Sequence, residues 1–234
     1  MTTVAIHQPG YLPWLGFFKK MMNSDIFVFL DDAQYEKKNW QNRNYIRTSS
    51  GATLLTIPTK SNFDSTINEV KIDNTKNWSL KHKRSILTNY SRSKYFDEHR
   101  TFIEKVYEKN FDLLIDINIE IISYIMKKLG IKTKTVFSSE LQVSGNGSDK
   151  VLDICKEVGC DIYISGTTWA KDNLRIEDFI KNDIKVRFEN FQHPVYKQCY
   201  YPFIPIMSSI DLLFNEGKNS QEILKNVRNL IIPS

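Results

Sequence analysis

Four short stretches hold the residue types that do chemistry. The first is "IHQPGYLPW", residues 6–14, which carries His7, one of only four histidines, beside Gln8. A histidine near neutral pH can act as acid, base or hydrogen-bond donor. The second is "DDAQYEKKNWQNRNYI", residues 31–46. It offers Asp31 and Asp32, then Gln34, then Asn42, Arg43 and Asn44. Amides pair donors with acceptors in the way sugar hydroxyls and nucleobase edges require, and a guanidinium suits phosphate or carboxylate. The third is "ISGTTWAKD", residues 164–172, with Ser165, Lys171 and Asp172 around a glycine that could open an anion-binding nest. It lacks both the P-loop and the GxSxG spacings. The fourth is "FQHPVYKQ", residues 191–198, where His193 precedes Tyr196 and Gln198 in a stretch that reads as extended. Lys60, after "TIP", could add positive charge. Each stretch also suits a purely structural loop, with His7 capping a turn and Asp211 simply bonding to a neighbouring loop.

These clusters need elements to position them. "TVAIH" reads as a buried strand, residues 14–23 as a helix and "DIFVFLDD" as a second strand, a parallel βαβ opening. "NYIRT", "ATLLTIPTK" and "INEVKID" read as shorter strands of an antiparallel extension. From 77 to about 130 the apolar spacing turns helical, with Leu113, Ile117, Ile121, Tyr124 and Ile125 close to one face and Gly130 as a stop. Strand and helix patterns then alternate again: "KTKTVFSSEL", a helix opened by Ser148 or Asp149, "DIYISG", "IEDFIKNDI" and "KVRFENF". "SSIDLLFNEG" and "SQEILKNVRNLI" read as closing helices, with Ser209 and Ser220 as caps. The expectation is one α/β domain over 1–234: a mostly parallel Rossmann-like sheet, a helical middle section and a small antiparallel extension. In such sheets, ligands bind beyond the carboxyl ends of strands, where several of the chosen residues fall.

Composition narrows the class. A hydrophobic share of 41% with 25% charged residues specifies a globular core rather than disorder. The net charge of +5 is spread out, which suits a phosphate-bearing small molecule better than nucleic acid. Three cysteines without a CxxC argue against disulfides and a zinc site, and for a reducing cytoplasm. No apolar run is long enough to insert into a membrane. No cofactor is required by these residues, and magnesium at Asp31–Asp32 is the metal they allow.

Laid out in order, these segments resemble the WbqC-like protein family. The resemblance rests on "IHQPGYLPWLGFFKKM", "DIFVFLDDAQYEKKNWQNRNYI", "LLTIPTK", "NWSLKHKRSILTNY", "SSEL", "YISG" followed by "KD", and "HPVYKQ" through "PFIPIMSSIDLLFNEG". It implies a bacterial O-antigen or surface-polysaccharide setting, hence a glycan precursor as substrate. It carries over His7, Gln8, Tyr11, Trp14, Asp32, Gln34, Asn42, Arg43, Asn44, Ser165, Lys171, Asp172, His193, Tyr196 and Gln198 as motif residues.

The expected activity is transfer of an acyl or aminoacyl group, from an unknown activated donor, to a nucleotide-linked amino sugar. His7 or His193 would take the proton, with Asp32 beside them. Arg43, with Lys60 or Lys171, would hold the diphosphate. Two alternatives stand beside it: a nucleotidylyltransferase-like enzyme, although the HxGH histidines are missing from "LPWLGFF", and a non-catalytic nucleotide-sugar-binding protein. A nucleic-acid partner enters only if a charged tRNA is the donor.

Overall fold

A computed structural model of the chain describes residues 1–166, 170, 172–227 and the backbone of 229–233. The opening forms as its apolar pattern requires. Strand β1 (Thr3–His7) leads through a proline–glycine loop into helix α1 (Leu15–Met22), and the chain returns in β2 (Ile26–Phe29), parallel to β1. Strand β7 (Lys134–Phe137) extends this side of the sheet, parallel to β2. The chain then crosses through α5 (Gly147–Glu157) to the other side of β1, where β8 (Ile162–Gly166) and β9 (Lys185–Phe191) add in parallel, joined by the short α6 (Ile176–Ile180). The spatial order is β10-β9-β8-β1-β2-β7, with β10 formed by Asn229–Pro233. The direction of winding therefore reverses between β1 and β8, which makes their carboxyl ends the topological switch point.

Alternate residues of the central strands face opposite layers. Ala5, Phe27 and Ile164 pack toward α1 and the helical section, while Val4, Ile6, Val28 and Tyr163 pack toward α5 and α6. The helical section consists of α2 (Trp78–Tyr90), α3 (Phe96–Glu108) and α4 (Leu114–Lys128). Helix α7 (Ser209–Glu216) joins it by stacking Phe214 on Tyr90 at 4.7 Å. The antiparallel extension is the hairpin β3 (Arg43–Thr48) with β4 (Gly51–Thr56) and the two-residue pair β5 (Thr59–Lys60) with β6 (Lys71–Ile72). Among the described residues, no helix is long and apolar enough to cross a membrane.

Four local expectations are corrected. "INE", residues 67–69, is a 3-10 turn rather than the start of a strand, and Glu69 reaches back to accept from Thr66 N at 3.2 Å. Ser208, not Ser209, caps α7, and Ser148 spends its hydroxyl accepting from Arg175 N at 3.0 Å instead of capping α5. The last helix, α8 (Ser220–Lys225), is short, and Asn229–Pro233 forms strand β10, antiparallel to β9. Paired β-branched isoleucines followed by a proline suit an edge strand, and the open side of β9 supplies the partner that local periodicity cannot reveal.

Candidate functional site

The carboxyl edge of the sheet collects residues from distant parts of the sequence. His7 and Gln8 end β1, Ser165 and Gly166 end β8, and His193 follows β9. Asp31 and Asp32 follow β2, and Ser138 and Ser139 follow β7. With strands roughly 4.8 Å apart, the ends of β1 and β9 lie about 10 Å from one another.

His7 is exposed to solvent, with its ring edge-on to Phe17 at 5.1 Å. Its Nδ1 lies 2.9 Å from the carbonyl oxygen of Gln8. A carbonyl can only accept, so Nδ1 carries the proton and Nε2 keeps the lone pair. Desolvation, and then the Lys20 ammonium, lower its pKa, a shift that its solvent-exposed position moderates, and the ring is mostly neutral at pH 7. His193 repeats the arrangement, with Nδ1 2.8 Å from the Pro194 carbonyl and Nε2 buried without a hydrogen-bond partner among the described residues. Desolvation lowers its pKa as well. Its ring sits among Phe191, Tyr196 and Phe203, and Phe191 in turn meets Trp14 edge-on at 5.1 Å.

Most of the amides hold the loop over residues 8–14 rather than an open surface. Gln41 donates to Gln8 Oε1 at 2.8 Å, and Asn44 donates to the Leu12 carbonyl at 2.8 Å, where Leu12 takes a φ of 47°. Asn118 of α4, fully buried, donates to the Gln41 carbonyl at 2.8 Å and reaches Pro9. Asn42 donates to Ile57 O at 2.8 Å. Tyr11 drives its side chain into the helical section, where its hydroxyl meets Tyr107 and lies 2.9 Å from His82 Nδ1. The first two motifs are thus one structural unit, the amides of one satisfying the backbone of the other. Gly10 is needed here because an added Cβ would stand 2.9 Å from the Trp40 carbonyl, the acceptor for Tyr11 N. Gly10→Ala should therefore lower the melting temperature by about 5 °C, as a clash worth roughly 1–3 kcal/mol would in a chain of this size. A differential scanning fluorimetry trace matching the parent's would contradict that.

Arg43 is half-buried at the start of β3, close enough to Tyr35 to affect its phenol, and its Nε has no partner. Neither a hydrogen bond nor an ion pair engages its guanidinium among the described residues. Lys60 pairs with Asp73 at 3.3 Å on the surface, and Gln34 donates to Phe63 O at 3.0 Å. Asp31 accepts from Ser138 and Ser139, tying the ends of β2 and β7 together, and Asp32 pairs with Lys150 of α5 at 2.7 Å. Tyr196 and Gln198 turn inward and donate to Asp211 at 2.8 and 2.9 Å, so Asp211 does anchor a neighbouring segment. Ser165 is buried, Asp172 is exposed, and Lys171 lies outside the described residues. Cys199 sits against Ser93 and Asn215 with its pKa raised by desolvation, so it is not an activated thiolate.

Sequence reasoning missed Lys20 and Glu189. Lys20, on α1, donates to the Ile6 carbonyl at 2.9 Å beneath His7, and its buried ammonium feels the Glu189 carboxylate, which accepts from Asn23 at 2.8 Å. A signal was present: the helix "LGFFKKMM" is apolar all round, so its lysines must be buried with partners.

A doubly wound, mostly parallel sheet with His7, Ser165 and His193 gathered near its switch point defines an α/β protein with a Rossmann-like sheet. The chain belongs to the WbqC-like protein family, whose sequence model matches residues 8–223. It is also 32% identical over 232 residues to the uncharacterized protein Rv1507c of Mycobacterium tuberculosis, an alignment spanning 97% of this chain and 100% of that protein.

Proposed function

We propose that this protein is a transferase of surface-glycan precursor biosynthesis, moving an acyl or aminoacyl group onto a nucleotide-linked amino sugar at the carboxyl edge of β1, β8 and β9. The observation that carries the reading is the fixed tautomer of His7. Its Nδ1–H is bound to Gln8 O, which leaves Nε2 to accept a proton from the attacking amine or hydroxyl. Arg43 supports the second half, because a half-buried guanidinium without an acceptor suits a phosphate. Bound diphosphate would also raise the pKa of His7, moving the base toward its working range when substrate arrives. Supporting Gln8 and the 8–14 loop is the role we assign to Gln41 and Asn44, while Asn42 ties the entry of β3 to Ile57. His193, with Trp14 and Phe191, forms the aromatic side of the crevice.

A thermal-shift screen against nucleotide-linked amino sugars tests the reading. A bound ligand at 100 times its dissociation constant should stabilise the protein by about 2.7 kcal/mol. Arg43→Ala should lose that shift, whereas His7→Ala should keep it and lose group transfer. If no nucleotide sugar shifts the melting curve, the reading fails. The strand order itself favours a second reading, nucleotidyl transfer, which magnesium-dependent release of pyrophosphate from a nucleoside triphosphate would support.

A further inference from the structure

Among the acid-free stretches of the chain are 37–63, which carries Lys37, Lys38, Arg43, Arg47 and Lys60, and 190–210, which carries Lys197. Together they make up about a fifth of the sequence. They hold six of the eight large hydrophobic side chains exposed among the described residues, including Trp40 at 52%, Val195 at 80%, Tyr201 at 96% and Ile206 at 56%. Scattered exposed apolar residues need no explanation, but this concentration does.

The fold places the two stretches side by side. Ser208 N donates to Tyr45 O at 2.8 Å, and Arg47 Nη2 donates to Pro202 O at 3.0 Å. Trp40 lies against Tyr45 at 6.0 Å, and Tyr45 sits directly opposite Leu54 in the β3–β4 register. Trp40, Tyr45, Leu54 and the 201–206 segment therefore make one surface, with buried Ser208 joining the two stretches beneath it. The backbone is strained at both of its tips. Lys38 has a φ of 69° and Ile206 a φ of 62°, and a β-branched residue in the left-handed region is a genuine outlier. Ile206 thus bears both backbone strain and an exposed side chain, a combination typical of a binding contact. Lys37, Lys38 and Lys197 are exposed, and none of them makes an ion pair among the described residues.

We propose that this face docks on an anionic lipid bilayer, with Trp40, Tyr201, Val195 and Ile206 entering the interfacial layer and the unpaired lysines meeting lipid phosphates. Aromatic and aliphatic side chains flanked by lysines are the composition that peripheral membrane contact requires, and Glu36, exposed in the same turn as Lys37 and Lys38, accepts from Asn39 at 2.9 Å. The inference does not rest on the proposed reaction. The face adjoins the candidate crevice, since Trp40 O accepts from Tyr11 N and Trp14 bridges to Ser208. Docking would hold the crevice at the lipid surface.

Vesicle flotation with the full chain is the test. The protein should float with phosphatidylcholine vesicles containing phosphatidylglycerol and stay behind with phosphatidylcholine alone, and added salt should release it. Trp40→Ser with Ile206→Asn should weaken binding by about tenfold or more, and so should Lys37→Glu with Lys38→Glu. The lysine pair lies on the surface and keeps the test valid if the apolar pair misfolds, which circular dichroism would report. The proposal is overturned if neither vesicle captures the protein, if RNA competes the protein off the vesicles through this face, or if the lysine variant floats like the parent.

Discussion

Asp211→Ala is expected to destabilise the fold by about 3–5 kcal/mol, the usual result of breaking a buried charged network by removing one partner. Asp211 is fully buried and accepts from Tyr196 at 2.8 Å and from Gln198 at 2.9 Å, and Tyr90 and Arg47 lie close enough to favour its charge. Alanine would leave the Tyr196 phenol without its acceptor, take one of two acceptors from the Gln198 amide, and remove the negative charge near the buried Arg47 guanidinium. The loss would spread, because Gln198 also clamps Ile204, accepting from its N–H at 2.8 Å and donating to its carbonyl at 2.9 Å. That clamp shapes the segment that carries His193 into the crevice and Ser208 onto Trp14. Asp211→Asn keeps the volume and one acceptor, so it should lose less. Burial raises the Asp211 pKa above its usual 3.8 despite the donors. Its protonated form is therefore bound more tightly by the folded state, and that contribution fades as pH rises past the ordinary carboxylate range. Urea titrations of the three proteins decide the matter, and an alanine variant within 1 kcal/mol of the parent would contradict the network's role.

The βαβ opening, the helical middle section and the alternation after residue 130 were legible because each depends on local period. "TVAIH" and "IFVF" are short apolar runs bounded by turn residues, and the isoleucines of α4 recur every four positions. Strand order was not legible, since nothing local tells β8 to pair with β1 on the side away from β2. That non-local step brings His7, Ser165 and His193 to one edge. The amides illustrate a different limit. Asn42 and Asn44 have the chemistry to read a sugar, but their type cannot say whether the partner is a ligand or a carbonyl of residues 11, 12 or 57. Tyr196 and Gln198 were ambiguous in the same way until Asp211 was found between them. Lys150, paired with Asp32, gave no signal at all, because a lysine in the first turn of an amphipathic helix reads as solvated surface.

The helical layer behind the site should make the protein acid-labile well above the range where carboxylates titrate. His82 on α2 and His99 on α3 are both buried, and desolvation lowers each pKa from 6.5 to about 4. Between those values the unfolded chain binds a proton that the folded chain refuses. Stability that is fully present above pH 6.5 is therefore lost as pH falls toward 4, on the order of 3 kcal/mol for each ring. Two such losses approach the whole stability of an ordinary domain. His7 has a similar direction of shift but stands open to water, so screening leaves it little share in this. The two buried rings act on the site by contact. His82 lies 2.9 Å from the Tyr11 hydroxyl, at the base of the 8–14 loop, and His99 meets Tyr124 at 2.7 Å and the Phe214 ring of α7 at 5.5 Å. Charging either ring loosens the helices that hold that loop. The urea midpoint should fall steeply from neutral pH to about pH 5, and His99→Phe, which keeps an aromatic ring between Tyr124 and Phe214 without a titrating nitrogen, should flatten the fall by about half. An unchanged midpoint across that interval would mean that both rings find acceptors for their protons in the folded state, and the helical layer would then carry no acid sensitivity of its own.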